Sequence, residues 1–181
     1  MNGGGKCNSK PIKGEATINK DILNNNLKSF LDLHKLKNID IQEIKELVKL
    51  GADVDVRSNY YQRTLLHEVC YMHRNIELVK ILIDNCADVN ARDKDNNTPL
   101  HLAIRTTEVE IIKLLIDKGA DVNASNNDGY TPLNLAFIAI RDDTNLTEVV
   151  MALIDKGADV NSRNPYGSTP LHNAWGCLLY T

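Results

Sequence analysis

Apolar residues recur along most of the chain at the three- and four-residue spacing of a helix with one buried face. The stretch from Thr98 to Asn123 shows this pattern most clearly. Its apolar positions between Val109 and Ile116 predict a helix that is packed on one side. A shorter helix is predicted before it, beginning at Thr98-Pro99, because the fixed φ of proline suits a first helical turn. Gly119 should end the second helix, since glycine most easily adopts a left-handed conformation.

The N-terminal part of the chain repeats this periodicity after a polar start. Residues 1–20 are rich in Gly, Asn, Ser and Lys, and a mobile tail is predicted because few large apolar groups offset the entropy of ordering. Apolar positions from Asp21 to Lys37 and from Ile41 to Leu50 predict a helix pair that ends in GADVDV. This pair lacks the Thr-Pro start, and a more polar end unit is what a stack of helix pairs requires.

The helix-pair unit recurs at a nearly constant period. Its first-helix threonines are Thr64, Thr98, Thr131 and Thr169, which lie 34, 33 and 38 residues apart. They open the tetrapeptides TLLH, TPLH, TPLN and TPLH, and CADVN or GADVN follows the second helix. Together these motifs resemble the ankyrin repeat, over about residues 27–176. The resemblance implies an all-α solenoid of helix-turn-helix units connected by β-turn fingers.

The resemblance also implies how the chain is divided. We expect a flexible tail over residues 1–20 and an ankyrin repeat domain over residues 21–176. The segments are then a capping repeat at 21–58, full repeats at 59–92, 93–125 and 126–163, and an incomplete last repeat at 164–181. After residue 172, either the chain is truncated or its apolar residues cover the end of the stack themselves. Those residues are Trp175, Leu178, Leu179 and Tyr180.

Three departures from the repeat pattern predict local irregularities. The first full repeat has one extra residue, which is expected between its helices around His73 to Asn75. The third has five extra residues, so 141–145 are expected to form a longer turn. Cys86 occupies the helix-ending position of Gly119, where a left-handed residue with a Cβ costs about 1 kcal/mol.

Charge and cysteine content bear on partners and compartment. A net charge of −3 without clustered Lys and Arg argues against nucleic-acid binding. No apolar run of membrane-spanning length occurs, and the N-terminus lacks the apolar core of a secretory signal. Cys7, Cys70, Cys86 and Cys177 show no regular framework, so reduced thiols in a cytoplasmic protein are expected. We also expect a monomer.

The histidines invite a metal or catalytic interpretation, but their spacing opposes it. His67, His101 and His172 occur once per repeat, so the stack holds them too far apart to share an ion. In the ankyrin-like context each resembles a hydrogen-bonding group between threonine and the neighbouring backbone. Cys70 has no base placed beside it by any recognised motif, and no GxGxxG, GxxxxGK[ST], HExxH or GxSxG occurs. We therefore expect no enzyme activity, no metal and no cofactor.

The ADVN tetrapeptides are expected to be mainly structural. Their valines, at 54, 89, 122 and 160, should be buried at the base of each finger, and the asparagines should satisfy turn backbone groups. The resemblance adds one further hypothesis. Ankyrin asparagines in a Leu-x7-Asn setting are targets of an oxygen-dependent asparaginyl hydroxylase in animal cells, and Asn90, Asn123 and Asn161 have that spacing.

The expected partner surface is the concave side, which finger tips and exposed inner-helix ends line in ankyrin-like solenoids. Tyrosine and arginine most often anchor interfaces, and five of the six tyrosines fall on this mapped surface. The candidate partner-binding residues are Tyr60, Tyr61, Arg63, Tyr71, Met72, Lys94, Asp95, Asn97, Arg105, Thr106, Asn127, Asp128, Tyr130, Ile138 and Tyr166.

The sequence favours a non-catalytic module that binds a partner protein through this concave face. The alternative is a truncated member or fragment of a larger ankyrin-containing protein, an adaptor that recruits ubiquitin-ligase machinery through a missing C-terminal segment. The Asn-, Ile- and Lys-rich composition resembles ankyrin proteins of obligate intracellular bacteria or large DNA viruses, many of which act on host proteins. A host-directed effector in the host cytoplasm is therefore a further expectation.

Overall fold

Successive helix pairs make up the part of the chain that the structure, a computed structural model, describes: residues 20–32, 41–140 and 143–172. Within these residues the chain is all α-helical and has no strand. The helices are α1 (Lys20–Asp32), α2 (Ile41–Lys49), α3 (Leu65–Glu68), a π-helical turn (Val69–His73), α4 (Ile76–Asp84), α5 (Pro99–Thr106), α6 (Val109–Asp117), α7 (Pro132–Ala139) and α8 (Asp143–Asp155). Residues 170–172 are also helical. The predicted all-α solenoid is confirmed.

The helices form two layers with the core between them. In the inner layer, α5 packs against the π-helical turn on one side and α7 on the other. In the outer layer, α6 packs against α4 and α8. Leu66, Leu100 and Leu133, at the same position of successive inner helices, are at most 1% exposed. Burial of such a leucine contributes about 2 kcal/mol, so the repeated apolar positions stabilise every junction between repeats.

Buried histidines connect each inner helix to the following finger. The Nδ1 atom of His67 lies 2.9 Å from Thr64 Oγ1, and its Nε2 atom lies 3.0 Å from the carbonyl oxygen of Asn97. A carbonyl oxygen only accepts, so Nε2 carries the proton and Nδ1 accepts from the threonine hydroxyl. His101 makes the same contacts with Thr98 and the carbonyl oxygen of Tyr130. The predicted structural role of these two histidines is confirmed.

The asparagines of the ADVN motif connect successive repeats. Asn90 Oδ1 accepts from the Asp121 N–H at 2.7 Å, and its Nδ2 donates to the carbonyl oxygen of Gly119 at 3.0 Å. Asn123 makes the equivalent bonds with Asp159 and Gly157, at 2.7 and 2.9 Å. Each amide therefore satisfies backbone groups of the next repeat, which confirms the structural interpretation at these two positions.

The two irregular repeats place extra residues in helices, which differs from the expected loops. In the first full repeat the extra residue widens the inner helix into the π-helical turn Val69–His73, which Arg74 ends at φ 50°. In the third repeat, α8 begins at Asp143 and has 13 residues, against nine in α6. The expected turn over 141–145 is therefore wrong from Asp143 onward, because a longer helix satisfies those backbone groups internally. Residues 141–142 lie outside the described residues.

Several smaller expectations have definite outcomes. Cys86 is left-handed with φ 73°, and Gly119 with φ 91°, as predicted. Cys70 is a free buried thiol, whereas Cys86 is disulfide-bonded, so the expectation of reduced thiols fails at Cys86. Lys20, assigned to the tail, already belongs to α1. Residues 1–19, 33–40 and 173–181, including Cys7, Trp175 and Cys177, lie outside the described residues.

The valine of the ADVN motif is buried only where another repeat follows. Val54 and Val122 are 7% and 5% exposed, as predicted, whereas Val89 is only partly buried, although a repeat follows it. Val160 is 47% exposed and departs from the prediction. Its turn follows α8, and the described residues place no further helix pair over it.

The described helices also include none that is long and apolar enough to cross a membrane.

Candidate functional site

The four fingers are the segments that connect one outer helix to the next inner helix. Each is closed by one backbone hydrogen bond: Ser58 N–H to Arg63 O, Asp93 to Asn97, Asn126 to Tyr130 and Asn164 to Ser168. The first finger is one residue longer between these bonded residues than the others. Neighbouring fingers are bonded as well, since the Lys94 N–H donates to Tyr61 O at 2.8 Å and the Asn127 N–H to Asp95 O at 2.9 Å. The backbones of the first three fingers are therefore held in one row.

Arginines at the base of the fingers strengthen this row. Arg57 Nη1 donates to the carbonyl oxygen of Gln62 in its own finger and to that of Arg92 in the next. Arg92 Nη1 repeats the arrangement with Asn96 and Ser125. Sequence reasoning missed these residues, although the recurrence of arginine before the first, second and fourth fingers, at Arg57, Arg92 and Arg163, was the available signal. They preorganise the fingers, because each guanidinium fixes two backbone segments at once.

The first two fingers and the π-helical turn carry a group of side chains that we call the tyrosine cluster: Tyr60, Tyr61, Arg63, Tyr71 and Lys94. The guanidinium carbon of Arg63 lies 4.8 Å from the ring centroid of Tyr61 and 5.0 Å from that of Tyr71. The Tyr60 and Tyr61 rings meet edge to face at 4.7 Å, and Lys94 Nζ lies 5.1 Å from the Tyr60 centroid. These distances are within the range of cation–π and aromatic pair contacts.

Buried carboxylates hold the central arginine of the cluster. Arg63 Nε lies 3.3 Å from Asp93 Oδ2, and Arg63 Nη1 lies 3.6 Å from Glu68 Oε1. The Arg63 side chain is 12% exposed, and those of Asp93 and Glu68 are 1% and 8% exposed. The charge of Arg63 is therefore compensated inside the fold, at the position where its guanidinium contacts the two rings.

The outer members of the tyrosine cluster are open to solvent. Tyr60 is 70% exposed and Tyr61 is 42% exposed, and Met72 on the π-helical turn is 51% exposed. Large apolar side chains at such exposure are available to a partner. Contacts with Arg63 and Lys94 limit the rotamers of the tyrosines, so less side-chain entropy would be lost on binding.

The other predicted partner-binding residues divide into exposed and buried positions. Tyr71 and Tyr130 are half-buried, and Tyr166 is 83% exposed. Asn97 and Thr106 do not line the surface as expected. Asn97 is 4% exposed and bonded to Asp93 and Asn126, and Thr106 is 7% exposed with its hydroxyl donating to Ala103 O and Cys70 O. The remaining predicted residues are exposed: Lys94, Asp95, Arg105, Asn127, Asp128 and Ile138.

The outer helices present a different surface. Lys45 pairs with Glu77 and Lys113 with Glu148, both at 2.7 Å, and each pair joins one outer helix to the next. Lys118 and Asp84 form a further pair of this kind. Their charges are already matched within the chain, and exposed pairs of this type contribute at most about 1 kcal/mol. The aromatic side chains that are available to a partner therefore lie on the fingers and the inner helices.

The buried side chains of His67, His101 and Cys70 have shifted pKa values. Burial lowers the pKa of His67 to about 4 and also lowers the pKa of His101. Burial raises the pKa of the Cys70 thiol, which disfavours the reactive thiolate. In the described part of the chain, no group of three or more His, Cys, Asp or Glu side chains is arranged to hold a metal ion. The arrangement of the finger surface supports noncovalent recognition.

Comparison with known families agrees with this architecture. A family model described as "Ankyrin repeats (3 copies)" matches residues 36–126 and 66–164. The chain belongs to the ankyrin-repeat family. Its members are in general protein-interaction modules, so this ankyrin-repeat chain is an interaction module at that level of description.

Three relatives of this ankyrin-repeat chain come from distant organisms. It is 34% identical over 85 residues to Delta-latroinsectotoxin-Lt1a of Latrodectus tredecimguttatus, covering 46% of this chain and 7% of the toxin. It is 36% identical over 67 residues to the E3 ubiquitin-protein ligase KEG of Arabidopsis thaliana, and the match covers 35% of this chain and 4% of the ligase. It is 34% identical over 101 residues to an ankyrin repeat protein of Rickettsia felis, and the match covers 51% of this chain and 41% of that protein. The chain thus spans less than half the length of each relative.

The asparagines considered for hydroxylation occupy two environments. The amides of Asn90 and Asn123 are bonded at both ends to the next repeat. Asn161 is exposed, and its backbone N–H donates to Asp159 Oδ1. Hydroxylation at these positions stays a prediction.

Proposed function

We propose that this ankyrin-repeat chain binds a partner protein through the concave face formed by its fingers and inner helices, without catalysing a reaction. The observation that carries the proposal is the tyrosine cluster, in which exposed Tyr60 and Tyr61 are fixed by Arg63 and Lys94. Tyrosine and arginine dominate the residues whose truncation weakens protein interfaces most.

The rigidity of the fingers supports this assignment. Backbone bonds between neighbouring fingers and the Arg57 and Arg92 guanidinium contacts order the surface before a partner arrives. Binding to a preordered surface avoids much of the entropy cost of association. Besides the tyrosine cluster, exposed Arg105, Ile138 and Tyr166 complete the face that we assign to the partner.

The finer part of the proposal concerns where the module acts. A relative in Rickettsia felis and the Asn-, Ile- and Lys-rich composition favour a host-directed effector whose partner is a host cytoplasmic protein. The relative named as an E3 ubiquitin-protein ligase favours a second candidate, an adaptor in a longer ubiquitin-ligase protein. Reading the encoding DNA beyond Thr181 for a continued frame distinguishes the two.

The test compares partner capture by matched variants. Tyr60→Ser with Tyr61→Ser removes the exposed rings, whereas Lys80→Ser with Glu110→Ser changes two exposed residues of the outer helices. Each immobilised variant is incubated with lysate of candidate host and native cells, and retained proteins are identified by mass spectrometry. We expect proteins that the wild type and the outer-helix variant retain and the tyrosine variant loses. Equal retention by all three, with unchanged circular dichroism, would refute the assignment.

A further inference from the structure

The inner helices carry a row of exposed side chains near their C-terminal ends. Arg74 ends the π-helical turn, Thr107 ends α5 and Ile140 ends α7. Two residues before each end lies an exposed side chain, and we call these three residues the inner-helix row: Met72, Arg105 and Ile138. Because α5 packs between the π-helical turn and α7, Met72 and Ile138 flank Arg105. The row is therefore apolar, cationic and apolar in turn.

The extra residue of the first full repeat brings Met72 into this row. Arg74 and Thr107 are both left-handed, with φ 50° and 59°, so they end their helices in the same way. Counting back from these ends aligns Met72 with Arg105, whereas counting from the helix starts would align Tyr71. The exposures agree with the first alignment, since Met72 and Arg105 are exposed and Tyr71 is half-buried.

Arg105 is the charged member of the row, and its guanidinium forms no ion pair with the described residues. Its neighbour Arg74 differs, because the Nη1 atom of Arg74 lies 3.4 Å from Glu108 Oε1. Arg63 at the finger base is likewise compensated by carboxylates inside the fold. The inner helices thus present an exposed cation between two exposed apolar side chains.

The exposed charges of the fingers leave α5 as the preferred position for an acidic group. On the second finger Lys94 is followed directly by Asp95, so the two charges offset each other. The third finger carries the exposed carboxylate of Asp128, which repels an acidic group. A carboxylate of a partner is therefore attracted most strongly to Arg105, and this attraction sets the register of the partner on the face.

The spacing of the inner-helix row fits a helix better than a strand. Packed helices lie about 8–10 Å apart, so neighbouring positions of the row are separated by about that distance. A helix laid across the inner helices returns to the same face after seven residues, which is about 10.5 Å. Residues on one face of a strand recur about every 6.6 Å and match the row less well.

We propose that the inner-helix row binds an amphipathic helix of the partner protein. One Asp or Glu of that helix pairs with Arg105, and apolar residues about seven positions before and after it contact Met72 and Ile138. The apolar contacts exclude water from the ion pair, which strengthens a pair that would be weak on an open surface. This inference rests on the proposed function, because it names the partner element that the concave face takes.

The test is selection of displayed helices on the immobilised full chain. The library is an Ala- and Gln-based helix of about 18 residues, randomised at three positions seven residues apart and beside them on the same face. The wild type should select Asp or Glu at the central position and apolar residues at the outer two. Arg105→Glu should instead select Lys or Arg at the centre. Lys80→Glu is the matched control, because it makes the same charge change at an exposed position of α4, and it should select like the wild type.

A selected acidic helix is then labelled and titrated by fluorescence anisotropy, after circular dichroism has shown that both variants fold. It should bind Arg105→Glu at least about tenfold more weakly than Lys80→Glu, and it should bind the wild type more weakly at high salt. A central residue that stays acidic in selections on Arg105→Glu overturns the inference, as does a wild type that selects no helix. The proposed function is judged separately, by the proteins that the Tyr60→Ser, Tyr61→Ser variant loses, so it can stand when this inference fails.

Discussion

The Nε2 atom of His67 donates a hydrogen bond to the carbonyl oxygen of Asn97, 3.0 Å away in the finger of the following repeat. Nδ1 of the same ring accepts from Thr64 at 2.9 Å, so one neutral imidazole joins a helix start to the next finger. The ring is fully buried, and burial lowers its pKa to about 4. Protonation of the ring would add a proton to Nδ1, which could then no longer accept the hydrogen bond from Thr64.

Stability should therefore fall as the pH drops below the unfolded histidine pKa. Above about pH 6.5 His67 is neutral in both states and contributes no pH dependence. Between about pH 6.5 and pH 4 the unfolded chain binds the proton more tightly, so up to about 3 kcal/mol is lost. Urea unfolding between about pH 7 and pH 5 measures the slope.

His67→Asn is the matched variant, because Asn134 already occupies that repeat position. This variant should be less stable near pH 7, and its free energy of unfolding should depend less steeply on pH. The pH dependence that remains should come from His101. An unchanged slope would show that His67 does not control the pH dependence.

Asn134 occupies, in the third full repeat, the position that His67 and His101 hold in the first two. It is 0% exposed, and its Nδ2 atom has no hydrogen-bond partner within the described residues. The longer ring of histidine would reach the carbonyl oxygen of Ser168, as His101 reaches that of Tyr130. Asn134→His should raise the free energy of unfolding by about 1 kcal/mol. A urea midpoint that decreases would contradict this account of the third repeat.

Thr107 ends α5 in a left-handed conformation, with φ 59°. A β-branched residue is strained there, so Thr107→Gly should stabilise the chain by about 1 kcal/mol. The converse change is Gly119→Ala. Gly119 has φ 91°, and an added Cβ would meet no atom within 4 Å. The substitution should therefore lower the stability by a similar amount through backbone strain alone. Thermal unfolding of both variants tests the pair. Shifts of the same sign would rule out backbone conformation as the cause.

Removing Arg63 should disturb both stability and the tyrosine cluster. Arg63→Met leaves Asp93 and Glu68 buried without their cation and should cost about 3 kcal/mol. The double variant with Asp93→Asn should recover part of this loss, because it removes one unpaired charge. Acrylamide quenching of tyrosine fluorescence should increase in both variants. No increase would mean that Arg63 does not position the rings.

The repeated landmarks made the architecture predictable. Thr98, His101 and Gly119 each satisfy a backbone requirement that recurs in every repeat, so their spacing specified the helices and turns. The same logic anticipated the left-handed Cys86, although not its disulfide. These residues act through local hydrogen bonds and φ angles, which a single sequence reveals directly.

The candidate site was less predictable, because it depends on residues that do not repeat. An extra residue can lengthen a loop or widen a helix, and the π-helical turn that presents Tyr71 and Met72 is set by tertiary packing. Asn97 and Thr106 were assigned to the surface by position alone, whereas contacts with Asp93 and with Cys70 O bury them. The contact of Arg63 with the rings of Tyr61 and Tyr71 is likewise one that spacing does not reveal.

The most direct test of the central claim is site-specific photo-cross-linking to a captured partner. A photoreactive phenylalanine analogue is placed at position 61 in the tyrosine cluster, at 105 on α5, or at 80 on α4. These positions are exposed, so the analogue should not disturb folding. The concave-face account predicts cross-links to one partner from positions 61 and 105 and none from position 80. Cross-links from position 80 alone would contradict it.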